Sequence, residues 1–151
     1  MQGSEENALV SSRGSSQVGE VRGDMKVSVI VPVHNQAEGL ERCLEGLLGQ
    51  THQDLQVILV ENGSVDVSWA ICQNYARADR RVDAVHLDSA GVSRARNVGL
   101  RLAQGECVMF CDSDDWAEPW WVATLHALIT EGDCDLAIAG YTKVSLEPLA
   151  G

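Results

Sequence analysis

The sequence predicts an α/β domain, a mainly parallel sheet with helices on both faces. Three observations carry that expectation. Apolar, β-branched runs alternate with segments of helical period, the pattern of βαβ units. The strand-like runs lack a polar face, as strands covered on both sides do. The chain of 151 residues is long enough for one domain with a real core.

"VSVIVPV" (27–33) is a continuous apolar run and the first expected strand. Leu40, Cys43, Leu44, Leu47 and Leu48 then follow helical spacing. "LQVILV" (55–60) is a second buried strand, and Val67, Ala70, Ile71, Tyr75 and Ala78 mark a second helix. "VDAVHL" (82–87) is a shorter strand, followed by a helix with Val92, Ala95, Gly99 and Leu102 on one face. "ECVMFC" (106–111) is the fourth strand. Glu118-Pro119 suits a helix start, since proline there forfeits no needed N–H. Trp121, Leu125, Leu128 and Ile129 continue that helix, and "DLAIAGY" (135–141) is a fifth strand. Residues 1–24 are Ser- and Gly-rich without sustained periodicity, so they are expected to be a disordered tail, with the domain running over 25–151.

The formal charge of −11 argues against a nucleic-acid surface. Five scattered cysteines without a CxxC pair suit buried free thiols in a reducing compartment. No apolar run reaches the ~20 residues of a membrane span, and the N-terminus has no signal-peptide core. The expected location is cytoplasmic, with peripheral membrane attachment left open.

In parallel sheets of this kind, ligands collect beyond the carboxyl ends of the strands. Those ends are His34-Asn35, "ENGS" (61–64), Asp88 and the acidic run "DSDD" (112–115). Two carboxylates about 4 Å apart repel by about 4 kcal/mol at an effective dielectric of ~20. A hard divalent cation, which prefers carboxylate oxygen, would offset that repulsion. The plainer alternative is that Asp114 or Asp115 caps the helix near Pro119. "GVSRARNVG" places Arg94 and Arg96 in the opening turns of a helix, a fit for a diphosphate or simply an exposed basic face. "ENGSVD" reads as a strand exit, or as a turn with a helix cap from Ser64 or Asp66. His34 is a ligand contact, or a surface or core histidine.

Taken in order, "VSVIVPVHN", "LLGQTHQDLQVILVENGSVD", "GVSRARNVGL" and "GECVMFCDSDDW" resemble the family 2 glycosyltransferases and their GT-A fold, Rossmann-like in topology. The resemblance spans roughly Lys26 to Tyr141. It implies a nucleotide-sugar donor, a UDP-sugar first among candidates, with Mn²⁺ or Mg²⁺ as cofactor and an acceptor that is a glycan, lipid or protein. It makes "DSDD" a DxD motif. Asp112 would contact the ribose, and Asp114, or Asp115 in its place, would hold the metal. Pro32 and His34 would line the base pocket, Asn62 would contact the base and Arg96 the nucleotide.

His34 stands where the family usually has Tyr, and Glu61-Asn62 where it often has Asp-Asp. The family's acceptor site and general base lie beyond the matched region, and none of Asp133, Asp135 or Glu147 matches that base. The expectation is therefore a donor-binding part that is C-terminally truncated: a truncated product, a gene fragment, or a half completed by a partner chain that supplies the acceptor site. Two rivals differ in class: a non-catalytic nucleotide-binding module, and an interaction protein with an inert fold. A phosphatase of the haloacid dehalogenase type also carries DxD, but there it follows the first strand rather than the fourth.

Overall fold

The computed structural model describes residues 9–12 and 25–144. In chain order the elements are β1 (Leu9–Ser12), β2 (Val27–Val33), α1 (Leu40–Leu48), β3 (Leu55–Asn62), α2 (Ser68–Ala78), β4 (Val82–Leu87), α3 (Val92–Leu102), β5 (Cys107–Phe110), α4 (Trp121–Gly132) and β6 (Cys134–Ile138). They fall into two units, residues 25–124, and residues 9–12 with 125–144.

The larger unit is built on a four-stranded sheet in the order β4-β3-β2-β5. Every pair in it is parallel, with Val27 beside Leu55 and Cys107, and Val57 beside Val82. Strand side chains alternate between faces. Val27, Val29, Val31 and Val33 therefore share one face, where they pack with Leu40, Cys43, Leu44 and Leu47 of α1, Cys72 of α2 and Val122 of α4. Ile30 takes the other face with Ile58, Val60 and Ala95 of α3. Helices thus cover both faces, as the sequence predicts. Each fully buried Val, Leu or Ile contributes roughly 1.5–3 kcal/mol, so the apolar strands are the main source of stability.

The chain winds from β2 outward through β3 to β4, then returns to place β5 on the other side of β2. The β2–β5 ladder ends at Ile30 and Phe110, where the Cys111 N–H still donates to the Ile30 carbonyl. Backbone groups two residues apart point the same way along a strand, so the nitrogen of Pro32 faces the same side as Ile30, past the end of β5. Proline has no N–H to leave unpaired at that gap. A residue that would weaken a central strand is harmless here, and the sheet opens where the strand order reverses.

Buried polar side chains fix the ends of the elements. Gln50 is almost fully buried. Its Nε2 donates to the carbonyls of Gly46 and Glu118, and its Oε1 accepts the Val122 N–H. It thereby ties the end of α1 to the start of α4 and satisfies one of the helix's orphan donors. On the opposite face, Ser28 donates to Gln56, whose Nε2 donates to Asp83, while the Gly105 N–H donates to the Ser28 hydroxyl.

In the smaller unit β1 and β6 form an antiparallel pair, Leu9 opposite Ile138 and Val10 opposite Ala137, with a register slip between Ser11 and Ser12. Two expectations differ from this. Residues 9–12 of the expected tail form a strand; four residues are too few to show a period, and the partner is over a hundred positions away. The last strand ends at Ile138 and pairs with β1, whereas the sequence extends it to Tyr141 within a mainly parallel sheet. The rest of the expected tail, residues 1–8 and 13–24, lies outside the described residues.

Two substitutions test this packing. A Cβ on Gly99 would lie 2.3 Å from Cγ2 of the buried Ile30. Gly99→Ala should therefore cost about 1–3 kcal/mol in denaturant unfolding through overpacking. Gln50→Leu strands the Val122 N–H and the Gly46 and Glu118 carbonyls, and should cost about 2–3 kcal/mol by the same measurement.

Candidate functional site

An open cleft of about 350 Å³ lies beyond the carboxyl ends of the strands, where β2 and β5 part. Pro32, His34, Asn62, Arg96, Asp112 and Asp114 all line it, together with Gln36, Ala90, Gly91, Val92 and Ser113. Six of the seven residues to which the resemblance gives a role thus come together from four separate segments. Asp115 is not part of the lining. It is the last residue of a turn over 112–115, closed by its own N–H to the Asp112 carbonyl.

One side of the cleft is built by tied loops. Asn62 is nearly fully buried. Its Oδ1 accepts the Gly91 N–H and its Nδ2 donates to the Val33 carbonyl, each at 2.9 Å. A donor on one side and an acceptor on the other fix which way the amide points. The resemblance implies a base contact for Asn62; its amide oxygen already holds the loop before α3, with one lone pair and one N–H of the amide remaining. The Nδ1–H of His34 donates to the Asn62 carbonyl at 2.9 Å, since a carbonyl only accepts. Its Nε2 then accepts from Asn35 Nδ2. The exposed ring is held at the rim of the cleft by both nitrogens.

The "ENGSVD" segment does the work of a turn and a cap, the plainer of its two readings. Asn35 adopts φ 50°, which asparagine tolerates. Its N–H donates to Ser64 Oγ and its Oδ1 accepts the Val65 N–H. The Asp66 carboxylate accepts the N–H groups of Ala37 and Ser68. The hydrogen bonds from Ser68, opposed by a smaller burial effect, hold its carboxyl below the ordinary range. Gly63 sits at φ +75°, where any Cβ would also come within 3.1 Å of the Ala90 nitrogen.

The other side of the cleft carries charge. Arg96 donates to Asp112 at 3.1 Å, an ion pair open to water and worth little to stability. Arg94 instead donates to Ser89 and does not line the cleft. Burial, then the charges of Asp114 and Asp112, push the Asp115 carboxyl above its ordinary value. The repulsion expected of the acidic run is therefore felt at Asp115.

The acidic loop rests on a seam of small residues along α1 and its start. A Cβ on Gly39 would meet the Asp114 Cα and Ser113 carbonyl, and one on Gly46 would meet the Ala117 backbone. Between them the Cys43 thiol contacts the Asp112 carbonyl and lies 4.0 Å from the Cys111 sulfur. Its hydrogen bond with Cys111, followed by burial, raises the Cys43 pKa, so the thiol stays protonated and unreactive. None of the five cysteines forms a disulfide.

The donor set here is hard oxygen, which fits Mg²⁺ or Mn²⁺. Among the described residues, no three of His, Cys, Asp or Glu converge into a cage made of protein alone. A Mg²⁺-type ion is typically held by one or two carboxylates together with substrate phosphates, and Asp114 on the cleft wall meets that minimum.

A parallel sheet wound outward from a central strand, with an acidic loop at its switch point, is the architecture of the GT-A glycosyltransferases. S. aureus TarS (residues 1–349), whose crystal structure holds UDP-GlcNAc, superposes with a TM-score of 0.65 at 32% identity, over 71% of this chain and 32% of that one. The mannosyltransferase PcManGT of Pyrobaculum calidifontis, in complex with GDP-Man and Mn²⁺, gives 0.66 at 26% identity, over 72% and 33%. The chain belongs to glycosyl transferase family 2, whose model matches residues 28–150. Glycosyltransferase GlyA of Streptococcus pneumoniae is 40% identical over 118 residues, 78% of this chain and 17% of GlyA. The chain thus spans a sixth of that relative and a third of the two solved structures.

Gln36, Ala90, Gly91, Val92 and Ser113 join the cleft without having been singled out. Gly91 and Val92 stand at the start of the arginine-bearing helix, so the signal was the helix N-terminus itself. Gln36 gave none.

The strain at Asp115 has a pH signature. A carboxyl raised in the folded state penalises the folded chain above its own pKa, and the penalty is gone below the unfolded value. Asp115→Asn should therefore raise the melting temperature slightly at neutral pH without added metal. That gain should fade as the pH is lowered through the carboxylate range, as thermal scans at several pH values would show.

Proposed function

We propose that the cleft binds a nucleoside diphosphate sugar, a UDP-sugar first, together with Mn²⁺ or Mg²⁺, and that the sugar passes to an acceptor hydroxyl on a glycan, lipid or protein. The observation that carries this reading is the division of one cleft into a hydrogen-bonding side, at His34 and Asn62, and a charged side, at Arg96, Asp112 and Asp114. Such a division suits a ligand with a base at one end and a diphosphate at the other. The UDP-GlcNAc of TarS and the GDP-Man and Mn²⁺ of PcManGT support it.

The roles follow from chemistry. The His34 ring stacks on the base beside Pro32, and Asn62 offers its remaining lone pair and N–H to the base edge. Asp112 takes a ribose hydroxyl. Arg96, released from Asp112 when the ligand enters, turns its guanidinium to the diphosphate beside the start of α3. Asp114, with Asp115 as the neighbouring alternative, holds the cation. The cation, when bound, supplies positive charge that stabilises the departing diphosphate.

Transfer also needs a base for the acceptor hydroxyl. The two carboxylates that line the cleft, Asp112 and Asp114, are both assigned to the donor side. This favours a second reading, a donor-binding module whose acceptor side comes from other polypeptide. The free-thiol cysteine pattern suits the cytoplasm. Among the described residues no helix is long and apolar enough to cross a membrane.

Calorimetric titration with UDP tests the donor site. Mn²⁺ should tighten binding by about tenfold or more over chelator, because it offsets repulsion between the acidic loop and the diphosphate. Asp114→Asn should remove most of that gain. Equal affinity in metal and in chelator would remove the cation from the reading. A transfer assay with sugar, lipid and peptide acceptors separates the two readings: turnover of about 1 per second or more, an ordinary enzyme rate, would show that the chain carries its own base.

A further inference from the structure

Glu61 lies one residue before Asn62 but points to the opposite face of the sheet, and it is completely buried. Its Oε1 accepts the Ser64 N–H and its Oε2 accepts from Nδ1 of His86, both at 2.5 Å. The donating ring belongs to β4, at the position directly beside Glu61 in the sheet. His86 is partly open to water, with its Nε2 3.6 Å from an oxygen of Asp88 and its ring tilted against Trp69. Burial pushes the Glu61 carboxyl up, but the bonds from Ser64 and His86 outweigh it and hold it below the ordinary range. Burial, and then the charge of Glu61, push the nearby Cys72 thiol up to about 12.

This carboxylate closes the turn that carries Asn62. One end of the turn is Glu61, the other is Ser64, and Glu61 joins them. The Ser64 hydroxyl in turn accepts the Asn35 N–H, next to His34. Asn62, inside the turn, reaches across to Gly91 and Val33. We propose that Glu61 and His86 act as a positioning pair for the base end of the donor cleft, setting the turn from which Asn62 and His34 meet the base. Neither residue lines the cleft. The inference rests on the donor-site reading above and adds to it the residues that shape base recognition.

The pair acts on the base end and leaves the charged end alone, and that separates positioning from general stability. Calorimetry on the full chain with Mn²⁺ should compare UDP with inorganic pyrophosphate. His86→Leu removes the donor from a buried carboxylate and should weaken UDP by about tenfold or more, with pyrophosphate unchanged within about twofold. His86→Asn keeps an N–H at the place of Nδ1 and should restore most of the UDP affinity. Equal weakening of both ligands, or no weakening of UDP, overturns the proposal. A measurement on the unsubstituted chain covers the case in which His86→Leu does not fold. The ring nitrogens of His86 should shift in ¹H–¹⁵N spectra when UDP is added and stay in place with pyrophosphate; an unmoved ring with UDP overturns the proposal. A chain that binds pyrophosphate but shows no preference for UDP overturns the positioning role, while one that binds neither overturns the donor-site reading itself.

Discussion

The reversal of strand order beside β2 is the constraint on which the rest depends. Because the chain builds β3 and β4 on one side and returns to lay β5 on the other, β2 and β5 have no connection at their carboxyl ends. The loops that follow them leave in different directions, and a gap opens between them. Pro32 tolerates that gap, the Asn62 amide spans to its margin, and Asp112 enters from the far side.

The two sides of the gap are held by different physics. The His34–Asn62 side is a web of directed hydrogen bonds in which backbone N–H groups are met by Ser64, Asn35, Asp66 and Asn62. Such bonds fix geometry even where the loops meet water. The acidic side relies on close packing. Gly39, Cys43 and Gly46 are small, and they let the loop from Ser113 to Ala117 lie directly on α1. Gln50 then pins the segment beyond it to the same helix. Mutually repelling carboxylates are thus kept together by neighbours that carry no opposite charge, Arg96 being the exception at Asp112.

The strands and helices of the larger unit were legible because burial on both faces leaves an unbroken apolar signature, as in "VSVIVPV" and "LQVILV". The convergence of His34, Asn62, Arg96, Asp112 and Asp114 was legible from topology, since all sit at strand exits or a helix start. The pairing of β1 with β6 was not, because four residues carry too little pattern and the partner is remote in sequence. The buried roles of Gln50 and Glu61 were hidden for another reason. A glutamine or glutamate between an apolar run and a turn looks like an ordinary surface residue, and only the fold shows which backbone groups it must satisfy.

The orientation of Asn62 bears on how this chain can change. Its amide gives an acceptor to Gly91 and a donor to Val33. The aspartate that the family resemblance leads one to expect at this place has no donor to give while ionised. It would set a carboxylate oxygen against the Val33 carbonyl, lone pair to lone pair, at a nearly buried position. Replacing one by the other is therefore no local exchange of base contact. It requires the end of β2 to find a new partner or move, so in this chain the residue at 62 and the course of the backbone at Val33 are coupled through one hydrogen bond.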